Sequence, residues 1–174
     1  IEVADGIWSA IGATAPPTME NSGHNNNLSF IITKAGVVVV NAGASYLLAQ
    51  ALHAEIKQLT DLPVKFVTLE NGQGHAMLGS DYWQQQGAKV IAHDDTATEI
   101  EDHGYEALAR MQGIQRDKAM GTLLSQPDIT FSNKYTLELG GEKIELLNLG
   151  ASHSHGDVVV WLPQRKFMIA GDIA

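Results

Sequence analysis

Runs of apolar residues, separated by turn residues, constrain the fold of this chain more than any other feature. The most informative is Val37–Val40, four consecutive valines with no polar residue between them. A strand with one face in water alternates apolar and polar residues, whereas a continuous apolar run is typical of a strand buried on both faces. The pattern therefore predicts a sheet that is covered on both sides.

Nine such runs predict strands. They are 7–11, 28–33, 37–41, 64–69, 90–92, 135–139, 144–149, 158–162 and 167–170. Between them, helical periodicity predicts a helix capped by Ser45, one that begins near 79–81 and one from about 94 to 111, followed over 112–128 by a helix end and a loop. Helices alternate with strands early and paired strands dominate later. We therefore expect a single layered α/β domain with mixed sheets, of α+β type, over residues 1–174.

Charge and composition exclude several classes of function. The net charge is -9, whereas binding to a nucleic-acid backbone needs a basic surface, so we expect no nucleic-acid partner. No apolar run approaches the roughly 20 residues needed to cross a bilayer, so we expect no membrane span. The chain has no cysteine, so any metal ion must be bound by His, Asp or Glu.

The two ends of the chain raise expectations about what lies beyond them. The chain begins at Ile1 rather than at a methionine, so we expect that something upstream was removed, either a signal peptide or a stretch cut at an arbitrary boundary. The first alternative favours a bacterial periplasmic or secreted location. It ends directly after the apolar run 167–170. We expect either that further strands follow in the natural protein, or that an open sheet edge pairs with a second copy to form a homodimer.

Seven histidines are the first candidates for metal ligands. His53 and His103 lie in helical segments among charged residues, and we expect both on the surface. His93 precedes two aspartates at a predicted helix start, where a structural role is typical.

Three other segments combine a strand end with ionisable side chains. The loop LENGQGHAML carries His75, the segment ASHSHGD carries His153 and His155, and Asp172 follows the last apolar run. Residues two apart point to the same side of an extended chain, so His153 and His155 are expected to reach one metal ion. The alternative is that these are turns whose side chains cap nearby backbone N–H groups.

The order of elements resembles the metallo-β-lactamase superfamily, the αββα sandwich shared by zinc hydrolases such as β-lactamases, glyoxalase II and related thioesterases and lactonases. The similarity runs from NNNLSFIITKAGVVVVNAGAS through GASHSHGDVVVWLP to AGD, and so covers the whole chain. GASHSHGD is similar to the family's G-H-T-x-G-D, which implies that His153 matches the third histidine of the first zinc site. AGD implies that Asp172 matches the aspartate that bridges the two metal ions.

The zinc-binding loop departs from the family pattern, which is H-x-H-x-D-H followed by a glycine. The positions that match its ligands hold Asn71, Gln73, His75 and Ala76. A carboxamide is a poor zinc ligand and a methyl group is none, so the resemblance implies a degenerate zinc loop that keeps its shape without its ligands. Asn41 likewise stands where the family usually has a structural aspartate.

Two hypotheses about function remain open. In the first, the di-zinc site is largely lost, no metal binds, hydrolase activity is weak or absent, and the domain has a binding or vestigial role, with a small-molecule ligand. In the second, a single zinc ion is held by His75, His153 and Asp172, with His155 or His24 as further ligands, and activates water against an ester, thioester, lactone or β-lactam. Without metal, we expect His75, His153 and Asp172 to hydrogen-bond one another. The substrate stays open.

Overall fold

Two β-sheets packed face to face form the centre of the computed structural model, which describes residues 1–174. The larger sheet contains β1 (Glu2–Ala4), β2 (Ile7–Ala10), β3 (Leu28–Ile32), β4 (Val37–Val40), β5 (Val64–Thr68), β6 (Lys89–His93) and β7 (Ile129–Phe131), in that spatial order. The smaller sheet contains β8 (Lys134–Leu139), β9 (Glu142–Leu147), β10 (Val159–Leu162) and β11 (Phe167–Ile169). The α-helices are α1 (Tyr46–Leu59), α2 (Gly74–Met77), α3 (Ser80–Gln85) and α4 (Asp94–Gln115), and 3-10 turns cover Arg116–Ala119 and Gly171–Ile173.

The valine strand β4 lies in the middle of the larger sheet, antiparallel to β3 and parallel to β5. Val37 and Val39 belong to the core between this sheet and the helices. Val38 and Val40 belong to the second core, between the two sheets. Both faces of the strand are therefore buried, as the continuous apolar run predicts.

The helices cover one face of the larger sheet, and two of them begin at the expected residues. The hydroxyl of Ser45 caps α1 by accepting a hydrogen bond from the backbone N–H of Leu48 at 3.2 Å. The imidazole of His93 caps α4, because its Nδ1 accepts from the backbone N–H of Asp95 at 3.1 Å. The structural role expected for His93 is thus confirmed.

The smaller sheet is antiparallel throughout and covers the other face of the larger sheet. Ile144 and Leu146 of β9 and Val160 of β10 supply its part of the second core. The layers are therefore helices, mixed sheet and antiparallel sheet, which confirms the predicted α/β class. The second helical layer of an αββα sandwich does not occur within these 174 residues.

The structure adds three short elements to the predicted ones. Strands β1 and β7 have three residues each, too few for a hydrophobic period to emerge. Helix α2 is a single turn inside the glycine-rich loop. Helix α4 continues through Gly104, where a Cβ would lie only 2.7 Å from the side chain of Leu124. The glycine thus lets the returning chain pack closely against the helix.

One of the two predictions for the helix histidines is wrong. His53 is 7% exposed, and its Nδ1 lies 2.8 Å from the hydroxyl of Tyr82, with which it shares a buried hydrogen bond. Its ring also packs on Trp83. The charged residues near His53 in the sequence predicted exposure, but α3 covers this turn of α1. His103 is exposed, as predicted.

A bilayer-spanning helix is not found in this structure, since none of its helices is both long and apolar enough.

Candidate metal centre

The candidate site begins at the edge of the larger sheet where the parallel strands β4 and β5 end together. Asn41 follows β4 directly and adopts a left-handed conformation, with φ of 69°. Its buried side-chain oxygen accepts a hydrogen bond from the backbone N–H of Glu70, two residues after β5, at 3.0 Å. An aspartate would offer the same acceptor, so asparagine keeps this link with one charge fewer.

Asn71 organises the loop that follows. Its Oδ1 accepts a hydrogen bond from the backbone N–H of Gln73 at 3.0 Å, which holds the turn before α2. Its Nδ2 donates to Oδ2 of Asp172, also at 3.0 Å. The side chain is fully buried. Both ends of its amide are therefore used for hydrogen bonds within the protein.

His75, in the single turn of α2, lies between two carboxylates. Its Nε2 donates to Oδ2 of Asp172 at 3.1 Å and lies 3.6 Å from Oε1 of Glu70. One ligand atom from each of these three residues falls within 4.8 Å of the other two. This group forms the carboxylate–histidine cluster, defined as Glu70, His75 and Asp172.

The charges of the cluster are coupled. Burial disfavours a charged imidazole, but the hydrogen bonds and negative charges of Asp172 and Glu70 outweigh it and raise the pKa of His75 to about 9. The hydrogen bond from His75 is the main cause that lowers the pKa of Asp172, and Asn71 and His153 add to it. At neutral pH, His75 is therefore an imidazolium.

His153 reaches the same cleft from the loop before β10. The side-chain nitrogen of Gln73 lies 3.1 Å from its Nδ1 and 3.4 Å from its Nε2, and Oδ2 of Asp172 lies 3.9 Å from its Nδ1. Its side chain remains 43% exposed. Asp172 thus lies between His75 and His153, and Asn71 and Gln73 lie beside them.

The structure does not bring His155 to this cluster. The segment around it forms bends and turns instead of the expected extended chain, so residues two apart do not share a side. Asp157 fixes the turn, because its two oxygens accept from the backbone N–H and the hydroxyl of Ser154, each at 2.7 Å. His155 faces a separate groove along α4 with Asp95.

Two further predicted residues supply no ligand atom to the cluster. His24 lies in the loop between β2 and β3, where its ring faces the backbone of Ala10 and Asn26, and burial lowers its pKa. Ala76 is fully buried in α2 and contributes its backbone oxygen, which accepts from the N–H of Ala42 at 2.7 Å.

Glu70 is the member of the site that sequence reasoning missed. It is 5% exposed, although glutamate is rarely buried without a partner. A Cβ on Gly171 would lie 1.7 Å from its Oε2, so the turn that carries Asp172 closes directly over this carboxylate. The sequence does hold one signal for Glu70. This charged residue comes directly after an apolar strand, which places it at the same sheet edge as Asn41.

Comparison with known proteins decides the family. A sequence profile described as the Metallo-beta-lactamase superfamily matches residues 75–174, more than half of the chain. The chain belongs to the metallo-β-lactamase superfamily.

Solved metallo-β-lactamase structures share the fold of this superfamily member. A metallo-β-lactamase from Pontibacter korlensis superposes with a TM-score of 0.75 at 22% identity, over 98% of this chain and 69% of that one. Metallo-β-lactamase IND-7 superposes with a TM-score of 0.65 at 21% identity, over 91% of this chain and 62% of that one. FEZ-1 metallo-β-lactamase from Legionella gormanii superposes with a TM-score of 0.66 at 18% identity, over 92% of this chain and 56% of that one. The chain thus spans less than two thirds of the last two proteins.

The side chains of this metallo-β-lactamase-superfamily domain fit the two-ion centre of the zinc hydrolases poorly. Amide nitrogen atoms do not bind zinc, and those of Asn71 and Gln73 point at the remaining candidate ligands, Asp172 and His153. The cluster of one imidazole and two carboxylates has a donor set suitable for one ion. Nε2 of His75 lies 3.1 Å from Oδ2 of Asp172 and 3.6 Å from Oε1 of Glu70. Two ligand atoms that are each about 2.1 Å from a shared zinc ion are expected to lie roughly 3.4 Å apart, which is close to both distances.

Proposed function

We propose that this domain keeps the metallo-β-lactamase fold without the two-ion hydrolytic centre, that its hydrolase activity is absent or weak, and that its cleft binds a small molecule. One observation carries the proposal: the amide of Asn71 donates to Asp172 at 3.0 Å and that of Gln73 to His153 at 3.1 Å. The amides stand where the resemblance expects zinc-binding histidines.

Hydrogen bonding competes directly with metal binding at these atoms. An imidazole nitrogen binds zinc through the same lone pair with which it accepts a hydrogen bond. The amide of Gln73 lies 3.1 Å from Nδ1 and 3.4 Å from Nε2 of His153, so it competes with an ion for this imidazole. The ligands that an ion needs are thus already satisfied by N–H groups, and the site is held together without a metal.

Charge balance supports the same conclusion. A divalent ion normally compensates the carboxylates of such a site. Here the imidazolium of His75 lies between Asp172 and Glu70 and compensates one of their two charges. The cleft remains polar and folded, as a binding site requires.

Metal content and hydrolysis together test this proposal. The protein is purified without chelator, analysed for zinc, iron and manganese, and assayed with ester, thioester, lactone and β-lactam substrates. We expect less than about one tenth of an equivalent of metal, since loss of most ligands removes most of the roughly 10 kcal/mol that a zinc site supplies. Two equivalents together with metal-dependent hydrolysis would refute the proposal.

A second candidate is a single-metal hydrolase, favoured by the carboxylate–histidine cluster within 4.8 Å. Glu70, His75 and Asp172 would hold the ion, with His153 at the rim; the sequence-based set of His75, His153 and Asp172 lacked Glu70. When bound, the ion would supply a water with a pKa near 7, able to attack a carbonyl carbon. Before that, His75 has to release its proton, because only a neutral imidazole is a ligand.

The two candidates differ in a measurable way. The single-metal candidate requires about one equivalent of metal, lost in both Glu70→Gln and His75→Ala and retained in the surface control His103→Ala. Hydrolysis must disappear in the same variants. If the parent protein binds the metal and the variants lose it, but the parent hydrolyses none of the substrates, only a binding role remains.

A further inference from the structure

A pocket of about 290 Å³ lies between α4 and the loop that joins β2 to β3, beside His75. Its size is near the lower end of the roughly 300–1,000 Å³ typical of small-molecule sites. The pocket shares Gln73 and His75 with the cleft described above, and so extends it. We call it the α4 pocket; its residues that matter here are Pro17, Gln73, His75, Arg110, Met111 and Ile114.

The wall of the α4 pocket holds no carboxylate. Its eight residues include two basic side chains, Arg110 and His75, and no aspartate or glutamate. Four other cavities, of about 220 to 460 Å³, each have at least one carboxylate in their walls. In a chain with a net charge of -9, the α4 pocket is therefore unusual in favouring an anion over a cation.

Arg110 brings a permanent positive charge to this pocket. Its side chain is exposed, and every ion pair that a lysine or arginine forms in the structure involves another residue. Glu99 and Glu106 share a neighbouring groove with Arg110, but neither carboxylate comes within 4 Å of its guanidinium, and Glu106 is 85% exposed to water, which screens its charge. Arg110 is therefore available to a carboxylate, which a guanidinium can hold with two parallel N–H bonds.

His75 stands between this pocket and the negative charges of the carboxylate–histidine cluster. Its Nε2 donates to Asp172 and lies near Glu70, and neither of these carboxylates lines the pocket. Its Nδ1 makes no hydrogen bond and is not among the buried unpaired atoms, so it keeps accessible surface. An anion in the α4 pocket therefore meets the imidazole and not the two carboxylates.

Apolar side chains form the other part of the wall. Met111 and Ile114 lie one turn apart on α4, next to Arg110, and Pro17 faces them from the loop between β2 and β3. Met111 belongs to the core between the larger sheet and the helices, and Ile114 packs against that core, so both are held in place. The pocket thus offers one cationic partner beside an apolar surface.

We propose that the α4 pocket binds a small carboxylate with an apolar chain, the carboxylate paired with Arg110 and the chain packed against Met111 and Ile114. A pocket of this kind, mostly apolar with one charged group, both holds and orients such a ligand. This inference rests on the binding role proposed above and names its ligand class. It requires no metal ion.

A series of matched probes tests the inference. Hexanoate, hexan-1-ol and hexan-1-amine share one chain and differ in the charge of the head group. Each is titrated into the 174-residue protein at pH 7 with EDTA and followed by the NMR signals of protein methyl groups. We expect hexanoate to bind about fivefold more tightly than hexan-1-ol, the upper range for an exposed ion pair, and the amine no better than the alcohol.

The same titrations locate the ligand and test its apolar part. The methyl signals of Met111 and Ile114 should shift on binding. Acetate, which lacks four methylene groups, should bind at least about tenfold more weakly than hexanoate. Equal affinity for acetate and hexanoate, preference for the alcohol or the amine, or shifts confined to other methyl groups would overturn the inference.

Variants identify the charged partner. Arg110→Gln changes an exposed side chain and should fold like the parent, with about a fivefold loss of affinity for hexanoate and no change for hexan-1-ol. Lys57→Gln, on the exposed face of α1, removes the same charge away from the pocket and should bind like the parent. Ile114→Ala should weaken both probes alike, because it shortens the apolar wall. An unchanged hexanoate affinity in Arg110→Gln, or an equal loss in Lys57→Gln, would refute the assignment.

Failure of this inference differs from failure of the proposed function. Equal affinities for the three head groups in a metal-free, inactive protein reject only the carboxylate ligand. Two bound ions with hydrolytic activity reject the proposed function, whatever the probes do.

Discussion

The amide of Asn71 donates a hydrogen bond of 3.0 Å to Asp172, 101 positions later in the chain. The family resemblance implies that the first residue replaces a zinc-binding histidine and that the second matches a metal-bridging aspartate. In this protein the two side chains bind each other. A direct contact between these two positions can hold the loop in shape with N–H groups and no ion.

Asn71→Asp should destabilise the protein. The substitution removes the buried donor and places a carboxylate against the carboxylate of Asp172, at a cost of about 3 kcal/mol. The free energy of unfolding in urea measures this loss. Asn133→Asp, on the exposed turn between β7 and β8, is the control and should change stability by less than about 0.5 kcal/mol. Equal effects of the two substitutions would mean that the contact with Asp172 is unimportant.

Stability should fall at alkaline pH because of His75. Its pKa is raised from 6.5 to about 9 in the folded protein, so folding is favoured by proton binding. The contribution, up to about 3 kcal/mol, is fully present below the unfolded pKa of 6.5 and is lost as pH rises through about 9. Urea unfolding between pH 6 and 9.5 measures the slope. His75→Gln should flatten it; an unchanged slope in that variant would assign the effect elsewhere.

The double substitution Asn71→His and Gln73→His should create a zinc site. With His153 it supplies three imidazoles, which is the minimum set for a zinc ion with an open position. We expect metal content to rise from below one tenth to about one equivalent, measured by elemental analysis after dialysis. Gln85→His with Gln86→His, on the exposed end of α3, controls for the added histidines. No gain over this control would show that the loop geometry no longer suits a metal.

Gly171→Ala should destabilise the turn that carries Asp172 more than glycine conformation alone explains. Gly171 has a positive φ of 58°, and an added Cβ would lie 1.7 Å from Oε2 of Glu70. We expect a loss of about 3 kcal/mol in the free energy of unfolding, the sum of backbone strain and displacement of Glu70. Gly141→Ala separates the two causes, since its φ is also positive, 87°, but its Cβ meets nothing within 4 Å. Its expected cost is about 1 kcal/mol. Similar losses in both variants would argue against close packing on Glu70.

The amino-acid sequence by itself determined the longer strands and helices and the layered α/β class. Four valines in a row required a strand buried on both faces, and Ser45 marked the start of α1. Both signals arise from neighbouring residues, because strand burial and helix capping depend on local periods and local hydrogen bonds. The prediction that Asn71 and Gln73 replace zinc ligands rests on the family resemblance and on the chemistry of these residues.

Only the tertiary structure decided which polar side chains meet. It buried Glu70 beside His75, covered His53 with α3, and placed His155 in a separate groove along α4. The burial of His53 under α3 and of Glu70 under the Gly171 turn depends on contacts between segments far apart in the chain. The turn around His155 is fixed locally by the contacts of Asp157 with Ser154. Glu70 and Asp172 are brought together because parallel strands end at one sheet edge and the turn after β11 closes over it, a juxtaposition that exists only after both sheets have packed.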